Sequence, residues 1–321
     1  LVDFLLDFWS VDSSYAKMKA LRGRPLSLQY VESSARVIRN HLGPHLRGTK
    51  ISQLSVDKME RAILKLAEAG VGARTINYAI QAVRVAVTDY ARRNRIPDPL
   101  QYLDKVAEKP RERGTLSLDE IERIAALEGE SPRVKAAVLL GALCGLRLGE
   151  VRGLQWGDVD REKGLLRIEH NIVDEREGLK GPKAGSRRVV PLPDAVLYAL
   201  DACAKIAPEN SAYAIFNEKT ASRPIEKQTI KRGFSRVLAR IGIDEEARKA
   251  RNLTFHGLRH SFVSLTRGAG LPDWVVQRLA GHRTASMMER YSHEANMIDF
   301  QKARAAIDSA IGHGLASGNE R

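Results

Sequence analysis

The stretch "CGLRLGEVRGLQWGD", Cys144–Asp158, decides how this chain is read. Arg147 follows Gly145 by two residues, and Glu150 stands three residues further on. On a helix that spacing puts the two side chains on one face as an ion pair. A guanidinium is also planar, permanently charged and able to make two parallel contacts to an oxyanion. Taken alone, the stretch leaves both readings of Arg147 open. The preceding "RVKAAVLLGALCG", Arg133–Gly145, is almost wholly apolar and predicts a buried helix leading into it.

Two strand-like runs follow, "GLLRIEHNIV" from Gly164 and "RRVVPL" from Arg187. Between them lies "DEREGLKGPKAGS", Asp174–Ser186, polar and rich in glycine and lysine, so a hairpin or small sheet is expected. After Pro193 the pattern returns to helices: "DAVLYALDACAKI", "KQTIKRGFSRVLARIG", "FHGLRHSFVSLTRGAG" and "DWVVQRLAGH", with a tail helix around "IDFQKARAAIDSAIG". Towards the N-terminus, Ser117 with Glu120 forms a capping box that opens a helix.

Residues 1–105 read as helical. "TINYAIQAVRVAVTDYARRN" from Thr75 sets Ile76, Ile80, Val83, Val85, Val87 and Tyr90 on a broad apolar stripe, and "VDKMERAILKLAEAG" ends at Gly70, a helix C-terminus signal. The expected organisation is a helical domain over 1–107, a charged linker over 108–115 containing Pro110 and Gly114, and a second domain over 116–321 ending in the tail helix. The expected fold class is mainly α, with a small antiparallel β-sheet in the second domain.

The chain has 321 residues, enough for two domains with cores of their own. No apolar run reaches the roughly 18 residues of a membrane span. The first residue is Leu1 rather than Met, which leaves room for a preceding module. The two cysteines, Cys144 and Cys203, lie far apart in apolar surroundings and read as core thiols of a reducing compartment. Lys and Arg number 52 against 39 Asp and Glu, a net charge of +13 that favours a polyanionic partner. There is no glycine-rich phosphate loop of the Walker type and no acidic cluster suited to a two-metal nuclease.

Four pieces carry chemistry. They are Arg147 in its box, Lys183 in "PKAGSRRVVPL", His256, Arg259 and His260 in "HGLRH", and His282 and Tyr291 in "GHRTASMMERYSH". Each has a bland reading. Lys183 fits an exposed hairpin tip, and Tyr291 fits a packed aromatic with a satisfied hydroxyl. His256 and His260, four apart, have the spacing of zinc ligands, but no third ligand is placed for them.

In this order the pieces resemble the tyrosine recombinases of the phage-integrase type. The string is Arg147, Lys183, His256-x-x-Arg259, Gly281-His282 and Tyr291, over about Thr115–His293. The flanking words "GLRLGEVRGLQWGD", "HGLRHSF" and "ERYSH" match as well. Met287 and Met288 stand where that family often has threonines, and Ala280 stands where leucine is common.

The resemblance implies a two-domain architecture and a site-specific recombinase, an integrase of a mobile element. Such an enzyme cuts and rejoins DNA by transesterification, without metal or nucleotide cofactor, through a 3′-phosphotyrosyl intermediate on Tyr291. A free phenol, with a pKa of about 10, needs a base or a cationic field to attack. By resemblance Arg147 and Arg259 clamp the phosphate, and His256 and His282 donate to it or move the tyrosine's proton. Lys183 protonates the leaving 5′ oxygen, Lys180 being the competing assignment, and Glu150 orients the neighbouring cations. The implied partners are duplex DNA with inverted-repeat core sites, a homotetramer on two duplexes, and an accessory protein that bends DNA or sets direction. The implied location is the cytoplasm, at the bacterial nucleoid, with no membrane partner. The runner-up from the same residues is a type IB topoisomerase that relaxes DNA.

Overall fold

The computed structural model describes residues 1–109, 112–181, 187–281 and 299–317, and the chain divides into two units, Leu1–Pro110 and Arg111–Arg321. His282, Tyr291 and Lys183 lie outside the described residues.

The first unit is helical: α1 (Val2–Phe8), α2 (Ser14–Leu21), α3 (Leu28–Val37), a π turn at Ile38–Leu42, α4 (Gly43–Leu46), α5 (Val56–Glu68) and α6 (Ala73–Asn94). Ser13, Ser27 and Ser55 cap α2, α3 and α5, each hydroxyl accepting a backbone N–H of the first turn. The stripe expected on α6 is buried at Ile76, Ile80, Val83 and Val87, whereas Val85 and Tyr90 are only half-buried. Ala79, Ala82 and Ala86 complete the buried surface. Small residues there let α3 and the π turn approach the long helix closely.

In the second unit α7 (Leu118–Ala126) begins at the expected capping box. Ser117 Oγ accepts from Glu120 N–H at 3.2 Å, and Glu120 Oε2 accepts from Ser117 N–H at 2.8 Å. The centre is α8 (Pro132–Leu143), whose residues from Val134 on are buried except half-buried Lys135. A helix apolar on nearly every side must be covered all round. Here α10 (Asp194–Ala204), α11 (Lys227–Arg240) and α13 (Leu258–Gly268) pack against it along with α7. Two glycines permit this. A Cβ on Gly141 would lie 2.9 Å from Leu258 Cδ1, and one on Gly233 of α11 would lie 2.6 Å from Val134.

The sheet has three antiparallel strands in the order β1 (Val159–Asp160), β2 (Leu165–Ile168), β3 (Arg188–Pro191). β2 and β3 pair in the register Leu166↔Val190 and Ile168↔Arg188, burying Leu166, Ile168 and Val190. The remaining α-helices among the described residues are α9 (Leu148–Gly153), α12 (Glu245–Ala250), α14 (Asp273–Ala280) and α15 (Phe300–Ser317). The last packs Ala303, Ile307 and Ile311, at a spacing of four residues, onto α7, β3 and α13 of its own unit.

Both cysteines are free and buried, and burial raises both thiols, Cys203 to about 12. No described helix is long and apolar enough to cross a membrane.

Candidate active site

The site is built where α8 ends. Gly145 stops that helix with φ +65°, a left-handed conformation that costs a side-chain-bearing residue about 1–2 kcal/mol. Phe262 packs directly on it, so that a Cβ there would lie 2.5 Å from the ring. The turn delivers Arg147 to the N-cap of α9. Glu150 Oε2 accepts the Arg147 backbone N–H at 2.9 Å, and Glu150 Oε1 accepts from Arg147 Nη1 at 2.8 Å. The helical pairing of Arg147 with Glu150 is thus real, and the pair sits at a helix start rather than along a solvated face.

Glu150 is 2% exposed and does more than pair with Arg147. Arg188, from the first position of β3, donates Nη1 to Oε1 at 3.1 Å and Nη2 to Oε2 at 2.8 Å. Its Nε donates to the Leu279 carbonyl at 2.7 Å. Burial pushes the Glu150 carboxyl up, but the hydrogen bonds and charges of Arg188 and Arg147 outweigh it and hold it at about 2. Arg147 Nη2 also reaches the Gly281 carbonyl at 3.3 Å. Gly281 caps α14 with φ +62°, against the Arg188 side chain. One carboxylate therefore joins α9 to β3, and the two arginines join both to the end of α14.

The glycines of "GLRLGEVRG" explain how α9 is seated. Cβ atoms on Gly149 and Gly153 would fall 2.2 Å and 2.8 Å from Asn171 atoms, and Ile172 N–H donates to the Gly149 carbonyl at 2.9 Å. The same Asn171 pairs its backbone with that of Lys180, which is exposed.

His256 lies in a 3-10 turn, Phe255–Gly257, that leads into α13, and Thr254 caps this turn. Arg259, in the first turn of α13, is 3% exposed and donates Nη1 to the Gly145 carbonyl at 2.7 Å. The two arginine boxes thus meet at one peptide group. Among the described residues Arg259 Nη2 is buried with no acceptor. Burial, then the charges of Arg147 and Arg188, pull this guanidinium down to about 9, against the opposing pull of Glu150. A buried charged donor without a partner costs more than the 1–3 kcal/mol of a neutral one. An anion arriving beside Arg147 and Arg259 would relieve that cost.

His256 is brought to about 4, first by burial and then by Arg113, His260, Arg259 and Arg147, so it is neutral at neutral pH. The ring centroids of His256 and His260 are 5.9 Å apart, edge to face. Among the described residues the fold therefore gathers Arg147, Glu150, His256 and Arg259. Arg188 and Arg113 were missed by sequence reasoning. The arginine ahead of "VVPL" was the available signal for Arg188.

The phage integrase family profile matches residues 115–297, more than half of the chain. The chain belongs to the phage integrase family. A XerC-like tyrosine recombinase of Caldanaerobacter subterraneus is 29% identical over 300 residues, spanning 83% of this chain and 74% of that protein. Among solved structures, the Tn1549 transposon integrase in complex with transposon right end DNA matches with a TM-score of 0.69 at 19% identity, covering 95% of this chain and 98% of that one. A lambda integrase tetramer bound to a Holliday junction matches with a TM-score of 0.65 at 19% identity, covering 90% and 76%. As a member of this family the chain is a tyrosine recombinase, an enzyme of site-specific recombination. The mainly helical fold with a small antiparallel sheet is that of the integrases.

Proposed function

We propose that this recombinase breaks and rejoins duplex DNA through Tyr291 and serves a mobile element as its integrase. The observation that carries the reading is the Nη2 of Arg259, buried near the charge of Arg147 with no acceptor among the described residues. Two guanidinium groups held against mutual repulsion are complementary to a doubly charged phosphorane. The Tyr291 oxygen attacks phosphorus and the bond to the 5′ oxygen breaks. Lys183 gives that oxygen a proton, leaving a 5′ hydroxyl and a 3′-phosphotyrosyl bond. The phosphoester count is unchanged, so a second DNA end reverses the step without added energy. His256, neutral at pH 7, accepts the phenol's proton or donates its N–H to the phosphate, and His282 assists. Glu150 holds Arg147 in place.

Residues 1–107 act as the core DNA-binding domain, joined through 108–115 to the catalytic domain, 116–321. A groove of about 1,090 Å³ in the first unit, lined by Lys19, Arg22, Arg84 and Lys105 and by Arg92 and Arg93 paired to Asp89, supplies cations for the DNA backbone. The likeness to an integrase on transposon end DNA supports the mobile-element role, and the likeness to a tetramer on a Holliday junction supports four protomers on two duplexes with inverted core sites. An accessory protein sets direction, and the work takes place on the nucleoid in the cytoplasm.

The test is covalent trapping. The wild type and Tyr291→Phe are mixed with fragmented source DNA and denatured, and protease-sensitive adducts are sequenced. Adducts from the wild type alone, clustered at paired inverted sequences, are expected. Scattered adducts would point to a relaxing topoisomerase, and adducts with Tyr291→Phe would displace Tyr291 as nucleophile.

A further inference from the structure

The first residues of the second unit include Arg113, which no motif singles out. Its surroundings fix it closely. The Glu112 carbonyl accepts from Asn252 Nδ2 at 2.8 Å, and the Thr115 carbonyl accepts from Arg251 Nη2 at 2.9 Å. Leu116 N–H donates to the buried Ser261 hydroxyl at 2.9 Å. Gly114 lies so near the Arg251 carbonyl that a Cβ would sit 1.9 Å from it, and its own carbonyl fills the space beside Gly257. The backbone on both sides of Arg113 is therefore held to the start of α13 and the end of α12. Arg113 Nη1 then stands 3.3 Å from His260 Nε2.

A guanidinium has only donors, so this contact requires His260 Nε2 to be an unprotonated acceptor with the proton on Nδ1. His260 of α13 packs edge to face on His256 of the 3-10 turn that leads into that helix. We infer that Arg113 is a positioning residue of the recombinase site, fixing His260 in its neutral Nδ1–H form and, through it and its own charge, keeping His256 unprotonated and ready to take a proton. Among the described residues, the groups facing His256 are Arg113 from the start of the second unit, His260 and Arg259 from α13, and Arg147 from the start of α9. Those facing His260 are Arg113 and Arg259, with His256 beside it. Among the charges, Arg113 has the largest effect on both rings, after burial. Its side chain is exposed, so it can be replaced without opening the core.

The inference rests on the acid–base role proposed for His256, but its test does not require DNA or activity. Histidine ring resonances of the full chain are followed by NMR from pH 4 to 8 in the wild type, Arg113→Gln and Arg113→Lys, and assigned with His256→Gln and His260→Gln. In Arg113→Gln both rings should titrate at higher pH, by about half a unit or more for loss of a neighbouring charge. The nitrogen shifts of His260 should also report mixed tautomers. Arg113→Lys, which keeps a cation and donor, should restore most of the wild-type behaviour. Titrations and tautomers that are the same in Arg113→Gln and the wild type would overturn the inference, whether or not the chain recombines DNA. The expected changes in Arg113→Gln together with no Tyr291 adduct from the wild type would instead count against the recombination chemistry alone.

Discussion

Replacing Glu150 by Gln removes one negative charge from between two guanidinium groups while keeping nearly the same shape. The folded carboxyl sits at about 2 against an ordinary 4.5, which at about 1.4 kcal/mol per pH unit is worth ~3 kcal/mol of stability at neutral pH. The same figure follows from the cost of breaking a buried pair, about 3–5 kcal/mol. Because the folded value is depressed, the contribution is complete above pH 4.5 and is lost as the pH falls toward 2. Urea unfolding, followed through Trp156 and Trp274 of the second unit, should show the variant less stable by ~3 kcal/mol at pH 7. With a slope of roughly 2–3 kcal/mol/M, the midpoint falls by about 1 M or more. The gap between variant and wild type should be nearly unchanged at pH 5 and roughly halved at pH 3. A gap under about 1 kcal/mol at pH 7, or one equally wide at pH 3, would refute the reasoning, because the carboxylate's charge would not be what holds the arginines.

Gly145→Ala should destabilise the second unit by about 2–4 kcal/mol, combining the left-handed backbone cost with the clash against Phe262; wild-type stability in the same urea titration would contradict that. Sulfate at ten times its dissociation constant should stabilise the wild type by about 1.4 kcal/mol, a rise of about 2–4 °C in Tm. Arg259→Gln should lose most of that response, and an equal rise in both would mean that the unpartnered Nη2 is not an anion site. Lys183→Ala should cleave slowly, and sulfur at the 5′ bridging position should restore the rate because a thiolate leaves without a proton. Absence of rescue would remove Lys183 as the acid.

Much of the fold can be read from local pattern. Ser117 and Glu120 announce the start of α7, the apolar run announces α8, and "LLRI" and "RVVP" announce the paired strands. The two-residue β1 carries no periodicity, and α12 is a charged stretch with no buried residue, so neither left a signal. Arg147, His256 and Arg259 could be chosen because their spacing matches a family, not because sequence shows them adjacent. Arg188 and Arg113 escaped for a physical reason. Their importance lies in contacts to Glu150, Leu279 and His260, which are 38, 91 and 147 residues away along the chain.

The carboxylate shared by Arg147 and Arg188 also constrains how this protein can evolve. Losing Glu150 leaves both guanidinium groups without their carboxylate, and losing either arginine strips the buried carboxylate of one of its two cations, so the effects of single and double changes will not add. A lineage that drifts at Glu150 or Arg188 must change the other soon after, and the path through either single variant is steep. Arg147 is held to the trio by its chemistry as well as by its packing. Glu150 is therefore the member least free to change, because its two oxygens hold both guanidinium groups and the start of α9 at once.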